Sequence, residues 1–192
     1  MASTAQPPLR KDAARSRAAI LTAARELFSS GRDVPMYEIG RRAGVGQATL
    51  YRHFPDRAAI VAAISREHVE RIEAIAAEHE DDDHAILIVL DAAADMLVRI
   101  HDLLGSLRED AALAPVLAEL RQRMLVVLGA TLDRSRASDL LRDDLRADDL
   151  LLVLNMINGA LTGIATTAER TTAAARALDL AVHGLRSQPT TR

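Results

Sequence analysis

A single residue, Val45, separates Gly44 from Gly46, and helical apolar spacing runs up to the pair and away from it. Upstream, Pro35 suits the first turn of a short helix because its missing N–H has no intrahelical partner there. Ile39 and Ala43 form that helix's buried side. Gly44 supplies the left-handed residue that closes a helix C-terminus. Gly46 then stands at the N-cap of the next helix, where glycine is acceptable though weaker than serine. Leu50 and Phe54, four apart, anchor this second helix, and Pro55 stops it. Two short helices joined by so tight a turn have a fixed crossing, and the fold must be built around it.

The rings point the same way. The chain has two Phe, two Tyr and no Trp. These are Phe28, Tyr37, Tyr51 and Phe54, so residues 55–192 must build a core without a ring. About half of the 192 residues are apolar (49%), enough for a sizeable core. Alanine, leucine and arginine dominate and β-branched runs are scarce, which favours helix. No alternating strand pattern or internal repeat is visible. The expected class is all-α, a three-helix helix-turn-helix domain followed by a larger helical domain.

Along the chain, residues 1–11 read as a polar arm ending in Arg10-Lys11, with Asp12 capping the first helix. Ile20, Leu21, Ala24, Leu27 and Phe28 recur at helical spacing, and Gly31 ends that helix. The helix-turn-helix domain is expected over 12–57. A second, larger helical domain is expected over 58–187, with a tail at 188–192. Asp56 caps a long fourth helix whose inner stripe is Ile60, Ile64, Ile72 and Ile75, beside Val61. Further helices are expected over 86–104, 115–131, 148–168 and 171–185, with a Ser-, Arg- and Asp-rich loop over 134–144. The N-terminus has no apolar signal region. The uncharged stretch 150–168 is roughly long enough to span a bilayer, but Asn155 and Asn158 fall within it and favour a buried helix. No membrane association is expected.

Charge divides the chain. Residues 1–57 hold ten Arg or Lys against five Asp or Glu, a balance of +5; residues 58–192 hold fourteen against twenty-two, a balance of −8, and the two sum to the net −3. A basic module on an acidic body implies a polyanionic partner for the first part. Cysteine is absent, which excludes disulfides and thiolate metal sites and suits a reducing compartment such as the cytoplasm.

The helix after the turn has the chemistry of a major-groove reader. Its first turn, Gln47-Ala48-Thr49, is free of bulky apolar groups. Gln bonds adenine at N6 and N7, while Ala and the Thr methyl meet a thymine methyl. Tyr51 and His53 lie away from Leu50 and Phe54 and are candidates for backbone oxygens. Arg57, Arg41 and Arg42 are candidate phosphate clamps, which position a protein without reading sequence. Arg10 and Lys11 are either further DNA contacts or a solvated tail. Tyr37 is either packed or a backbone contact.

The segments IGRRAGVGQATLYRHFPDR at 39–57 and AILTAARELF at 19–28 resemble the DNA-binding domain of the TetR family of transcriptional regulators. The strong resemblance covers residues 13–64. Gly46 stands where members often carry Ser or Thr, a basic or Gly residue is common near Gln47, and Lys is usual at Arg57. These departures bear on the operator sequence. The resemblance implies a homodimer that binds double-stranded operator DNA, probes a small-molecule effector with its helical domain and acts as a repressor. The ending ALDLAVHGLR at 177–186 resembles the last helix of many members. The last two helices would then form a four-helix dimer interface, with Leu154, Ile157, Leu161, Leu178 and Val182 in it. Independently, the apolar residues from Leu150 to Ile164 cover most of one helix circumference and need burial on two sides. Gly159 and Gly163 would let helices approach closely.

Met96, His101, Met124, Asn155 and Asn158 are candidate pocket residues. A buried Asn must find a partner in ligand, subunit or backbone. His68 reads as a satisfied inner histidine. The run Glu78 to His84 is metal-like only in composition, because consecutive residues cannot converge on one ion, and it reads as a solvated loop. His101-Asp102 has no nucleophile nearby. Helical di-metal enzymes use paired Glu-x-x-His motifs, and no Glu in this chain has His three residues later. No catalytic residue, metal or cofactor is therefore expected. A DNA-binding dimer without an effector remains the other reading.

Overall fold

The computed structural model describes residues 8–28, 34–105, 111–138 and 140–186. These form eight α-helices: α1 (Pro8–Phe28), α2 (Met36–Ala43), α3 (Gln47–His53), α4 (Arg57–Glu78), α5 (Ala85–Gly105), α6 (Ala114–Ser135), α7 (Ala147–Ala160) and α8 (Thr167–Leu185). Single turns of 3-10 helix, Ala111–Leu113 and Arg136–Ser138, flank α6. Among the described residues there is no strand, only one isolated bridge between Leu141 and Arg186.

The described residues divide into two compact units: the chain leaves the first between Ile64 and Ser65, inside α4, and the described residues of 102–113 belong to the first again. In the first, α1 packs on α2 and α3. Ile20, Leu21, Ala24, Phe28, Ile39, Leu50 and Phe54 are buried there, as the helical spacing predicts. The second unit has a core of Leu, Ile, Val, Ala and Met, with Ile86, Leu90, Leu128, Leu150, Ile157 and Leu161 fully enclosed. Each buried Leu or Ile is worth about 1.5–3 kcal/mol over leaving it in water.

Several boundaries differ from the sequence reading. α1 starts at Pro8, so Arg10 and Lys11 are helical rather than part of an arm. Proline is well suited to a first helical turn. Asp12 is therefore inside the helix, where it pairs with Arg15 at 3.3 Å. Pro35 is the residue before α2, in extended conformation. The expected helix end at Gly31 and the tail at 188–192 lie outside the described residues. Asp56 does cap α4, its Oδ1 accepting from the Ala59 N–H at 2.7 Å.

The largest difference is at the end of the chain. The expected helix over 148–168 stops at Ala160, and the chain turns through Gly163, whose φ is +84°. α8 then starts earlier than expected. Thr166 and Glu169 form a reciprocal capping box: the Thr166 Oγ1 accepts from the Glu169 N–H at 3.2 Å, and Glu169 accepts from the Thr166 N–H at 3.3 Å. That satisfies two backbone donors at the new N-terminus. Gly163 is thus a turn residue rather than a point of helix contact.

Candidate nucleic-acid interface

The turn between α2 and α3 is built from backbone geometry. Gly44 has φ +68°, where a side chain is strained. Its N–H donates to the Arg41 carbonyl at 3.2 Å and the Val45 N–H to the Gly40 carbonyl at 3.0 Å. Together these bonds close α2 as a Schellman motif. Gly46 is extended, and its carbonyl accepts from the N–H groups of Thr49 and Leu50, both at 3.0 Å.

Gly40 sets how closely α2 and α3 approach. A Cβ there would stand 3.2 Å from Leu50 Cδ2 and 3.3 Å from Gln47 Nε2. Sequence reasoning passed over this glycine because it lies mid-helix with no turn signal beside it. Leu50 and Phe54 are buried and fix α3 from behind.

The opposite side of α3 is open. Gln47, Ala48, Tyr51 and Arg52 are exposed and Thr49 is half-buried. Gln47 donates from Nε2 to the Tyr37 carbonyl at 3.4 Å, which ties the first turn of α3 to α2. Tyr37 is 60% exposed and Tyr51 49% exposed, so neither is a core ring. Arg41 and Arg52 are exposed with no ion-pair partner among the described residues. Arg52 is an addition to the set read from sequence, and Tyr37, left open there, is exposed rather than packed. Exposure beside the reader helix is their signal, and it becomes visible only once the helices are folded.

Two expected phosphate contacts are engaged elsewhere and a third is partly enclosed. Arg42 donates to Glu26 Oε2 from Nε at 2.9 Å and from Nη2 at 2.6 Å, linking α2 to α1. The Arg57 guanidinium lies over the Phe28 ring, 4.7 Å from its centroid, a cation–π arrangement. His53 is half-buried, and its Nε2 is enclosed with no hydrogen-bond partner among the described residues. Arg17 lies over the Phe54 ring at 5.4 Å. Two rings that pack the small unit thus also carry cations.

Of the five expected pocket residues, Met96 lines an open cavity. Met124 is enclosed in the core, and Asn155 is exposed. His101 and Asn158 satisfy each other, Nδ1 to Oδ1 at 3.0 Å. His68 lines the same cavity as Met96. The residues expected at the dimer interface face inward: Leu154, Ile157, Leu161 and Leu178 belong to this chain's own core and Val182 packs against it. The apolar side chains that α7 and α8 leave exposed are Leu152, Met156 and Leu180, at 58%, 65% and 57%. A seven-residue stripe cannot show which part of an all-round apolar helix meets its own domain.

No group of three metal-binding side chains occurs among the described residues. In the run Glu78 to His84, Asp82 accepts from the His84 N–H at 2.8 Å, an ordinary turn contact. No described helix is long and apolar enough to cross a membrane.

Residues 20–64 match the family model of bacterial regulatory proteins of the tetR family. No curated protein matches the chain by sequence. Among solved structures, a TetR transcription regulatory protein from Mycobacterium vanbaalenii is 28% identical, with a TM-score of 0.68 over 93% of this chain and 99% of that one. A TetR transcriptional regulator from Streptomyces coelicolor is 29% identical, with a TM-score of 0.69 over 90% and 99%. SmeT, the repressor of a multidrug efflux pump of Stenotrophomonas maltophilia, shares the fold at 18% identity, with a TM-score of 0.64 over 92% and 93%. The matched segment contains the whole turn from Gly40 to Phe54, and both halves of the chain are covered by the structural relatives. Residues 20–64 thus carry a tetR-family DNA-binding domain with a helix-turn-helix reader, and the chain as a whole shares the fold of TetR transcriptional regulators.

Proposed function

We propose that this protein is a homodimeric repressor that a small-molecule effector releases from a palindromic operator. The observation that carries the DNA part is the open face of α3, where Gln47, Ala48, Thr49 and Tyr51 stand with Tyr37 beside them. Gln47, Ala48 and Thr49 read base edges, and Tyr51, Arg41 and Arg52 hold phosphate. The basic balance of residues 1–57 supports the same assignment. Arg57 serves the register from its seat on Phe28.

The dimer is supported by the exposed Leu152, Met156 and Leu180, a concentration of apolar surface on the last two helices. Two readers related by a two-fold axis must sit about one DNA turn apart, roughly 34 Å. An effector acts by binding the released form better than the DNA-bound form. α4 transmits the change, because it is continuous from the reader unit into the body.

Selection of bound sequences from a random DNA pool tests this reading. The expected outcome is an inverted repeat with half-sites one turn apart, bound with strong salt dependence. Recovery of a single unpaired half-site would remove the dimer, and recovery of no sequence would remove the reader assignment.

A further inference from the structure

Between α4 and α5, inside the second unit, lies an open cavity of about 460 Å³. That volume is in the range of small-molecule sites. Its floor is aliphatic. Ile72 is buried beneath it, and Ile75 and Met96 are partly buried against the core. No Phe, Tyr or Trp occurs in residues 55–192, and the one ring in the lining is the His68 imidazole at its rim.

The rim is charged, and its charges are unequal. On α5, Arg99 donates from Nε to Asp95 at 2.9 Å, a pair that neutralises itself. On α4, Arg71 is exposed, lines the cavity and has no hydrogen bond or ion pair among the described residues. His68, half-buried, lines it one helical turn away. The rim therefore carries one uncompensated guanidinium, on a body whose overall balance is −8 (fourteen basic against twenty-two acidic residues over 58–192). A guanidinium fork matches a carboxylate and binds it with two parallel hydrogen bonds.

We infer that this cavity is a binding site for small aliphatic carboxylates, with the acid group on Arg71 and the alkyl body over Ile72, Ile75 and Met96. The site's regulatory meaning rests on the effector reading above. An uncharged alkane chain would gain the floor but leave Arg71 in water. An anion without an alkyl body would compete poorly with water for an exposed guanidinium.

The test is calorimetric titration of the full-length protein with octanoate and with octan-1-ol, which shares the body but lacks the charge. Octanoate should bind one per chain, at least tenfold more tightly than octan-1-ol. Arg71→Gln should weaken octanoate at least tenfold and leave octan-1-ol unchanged. Because Arg71 is exposed and unpaired, its thermal melt should match the parent protein. Equal binding of the two probes, or octanoate binding that Arg71→Gln does not change, overturns the site. A mobility-shift titration on the selected operator separates the two readings. Arg71-dependent binding with unchanged DNA affinity keeps the site and removes its effector role. Release by another small molecule, with no octanoate binding, keeps the effector reading and overturns this site.

Discussion

The Arg123 guanidinium on α6 grips the Glu73 carboxylate on α4 with two hydrogen bonds, Nε to Oε1 at 2.8 Å and Nη2 to Oε2 at 2.6 Å. A second pair runs the other way: Arg66 on α4 donates to Glu119 on α6, with Nη2 to Oε2 at 2.7 Å. Arg123 also comes within 4.0 Å of Glu119, which joins the pairs. The basic and acidic residues thus alternate between the two helices, so a one-turn slip would set like charges against each other. The C-terminal half of α4 is held in register by these forks as well as by Val69 and Ile72 in the core.

The hydrogen bond from Arg123 holds the Glu73 carboxyl below the usual carboxylate range, against the opposing effect of its partial burial. A carboxyl depressed on folding contributes stability that is present above its unfolded value and is lost as pH falls through the lower folded value. The unfolded reference is 4.5, so the loss begins below about that pH. Glu73→Gln should lower stability by about 1 kcal/mol at neutral pH, the scale of a partly exposed pair. Paired melts of parent and variant from pH 7 to pH 3 check this. The gap in melting temperature should be constant down to about pH 5 and close below it. A gap that persists at pH 3 would show that packing, not charge, sets the loss.

Gly40 gives a sharper test of the reader's seat. Gly40→Ala places a methyl group 3.2 Å from Leu50 Cδ2, so α3 or its first turn must shift by a few tenths of an ångström. Overpacking at such a site costs about 1 kcal/mol or more, and the shift falls on Gln47. Operator affinity should drop several-fold while the protein remains folded. Gly46→Ala is the control. Its backbone is extended and nothing lies within 4 Å of the added Cβ, so operator affinity should hold and the melt should fall only by the small cost of alanine at an N-cap. Mobility shifts and melts on both variants decide the matter.

The reader itself predicts a split between two kinds of loss. Gln47→Ala should relax sequence preference at one position of each half-site, since bidentate adenine contacts are worth about 1–3 kcal/mol of discrimination. Tyr51→Phe removes only a hydroxyl from an exposed ring and should weaken all sequences alike. Binding of both variants to the operator and to single-base variants of it measures the difference. If the double variant keeps parental affinity, the contacts lie elsewhere.

How much of this could be read in the chain depends on range. The turn from Gly44 to Phe54 is encoded locally: a left-handed glycine, an extended glycine and an i,i+4 anchor suffice, and each falls where the sequence puts it. The fate of Arg42 and Arg57 is not local. Each meets a group on α1, Glu26 or the Phe28 ring, and sequence spacing carries no information on that meeting. The end of α7 is not legible in the sequence because uncharged residues continue past Ala160. The stop comes from Gly163 and from the capping box that makes Thr166 a better start for α8 than a continuation of α7. The cavity was invisible for the same reason as the ion pairs, since Arg71 and Met96 share no segment.

The interface proposal turns on two side chains one helical turn apart. Leu152 and Met156 lie at i and i+4 on α7 and are both exposed, although the helix's other large apolar side chains are buried or partly buried. Met156→Glu adds a charge to a surface that would be buried between subunits, and burying an unpaired carboxylate is costly. Sedimentation should show a monomer for this variant at concentrations where the parent is a dimer. Its far-ultraviolet helix content should be unchanged, because Met156 does not belong to the chain's own core. A variant that stays dimeric would move the interface off α7.

His101 and Asn158 are the last pair whose role can be decided by substitution. Asn158 is buried on α7, and its Oδ1 lies 3.0 Å from His101 Nδ1 on α5. An amide oxygen only accepts, so the imidazole must carry its proton on Nδ1. Asn158→Leu keeps most of the volume but leaves that N–H without its partner, at a cost of roughly 1–3 kcal/mol. His101→Leu in turn orphans the amide. Replacing both with leucine removes the polar demand altogether and should recover much of the loss. A double-mutant cycle on thermal or denaturant unfolding gives the coupling. A coupling near zero would mean that each side chain has another use, and would return both residues to the list of ligand contacts. A coupling of 1 kcal/mol or more would establish the pair as a link between α5 and α7, independent of any effector.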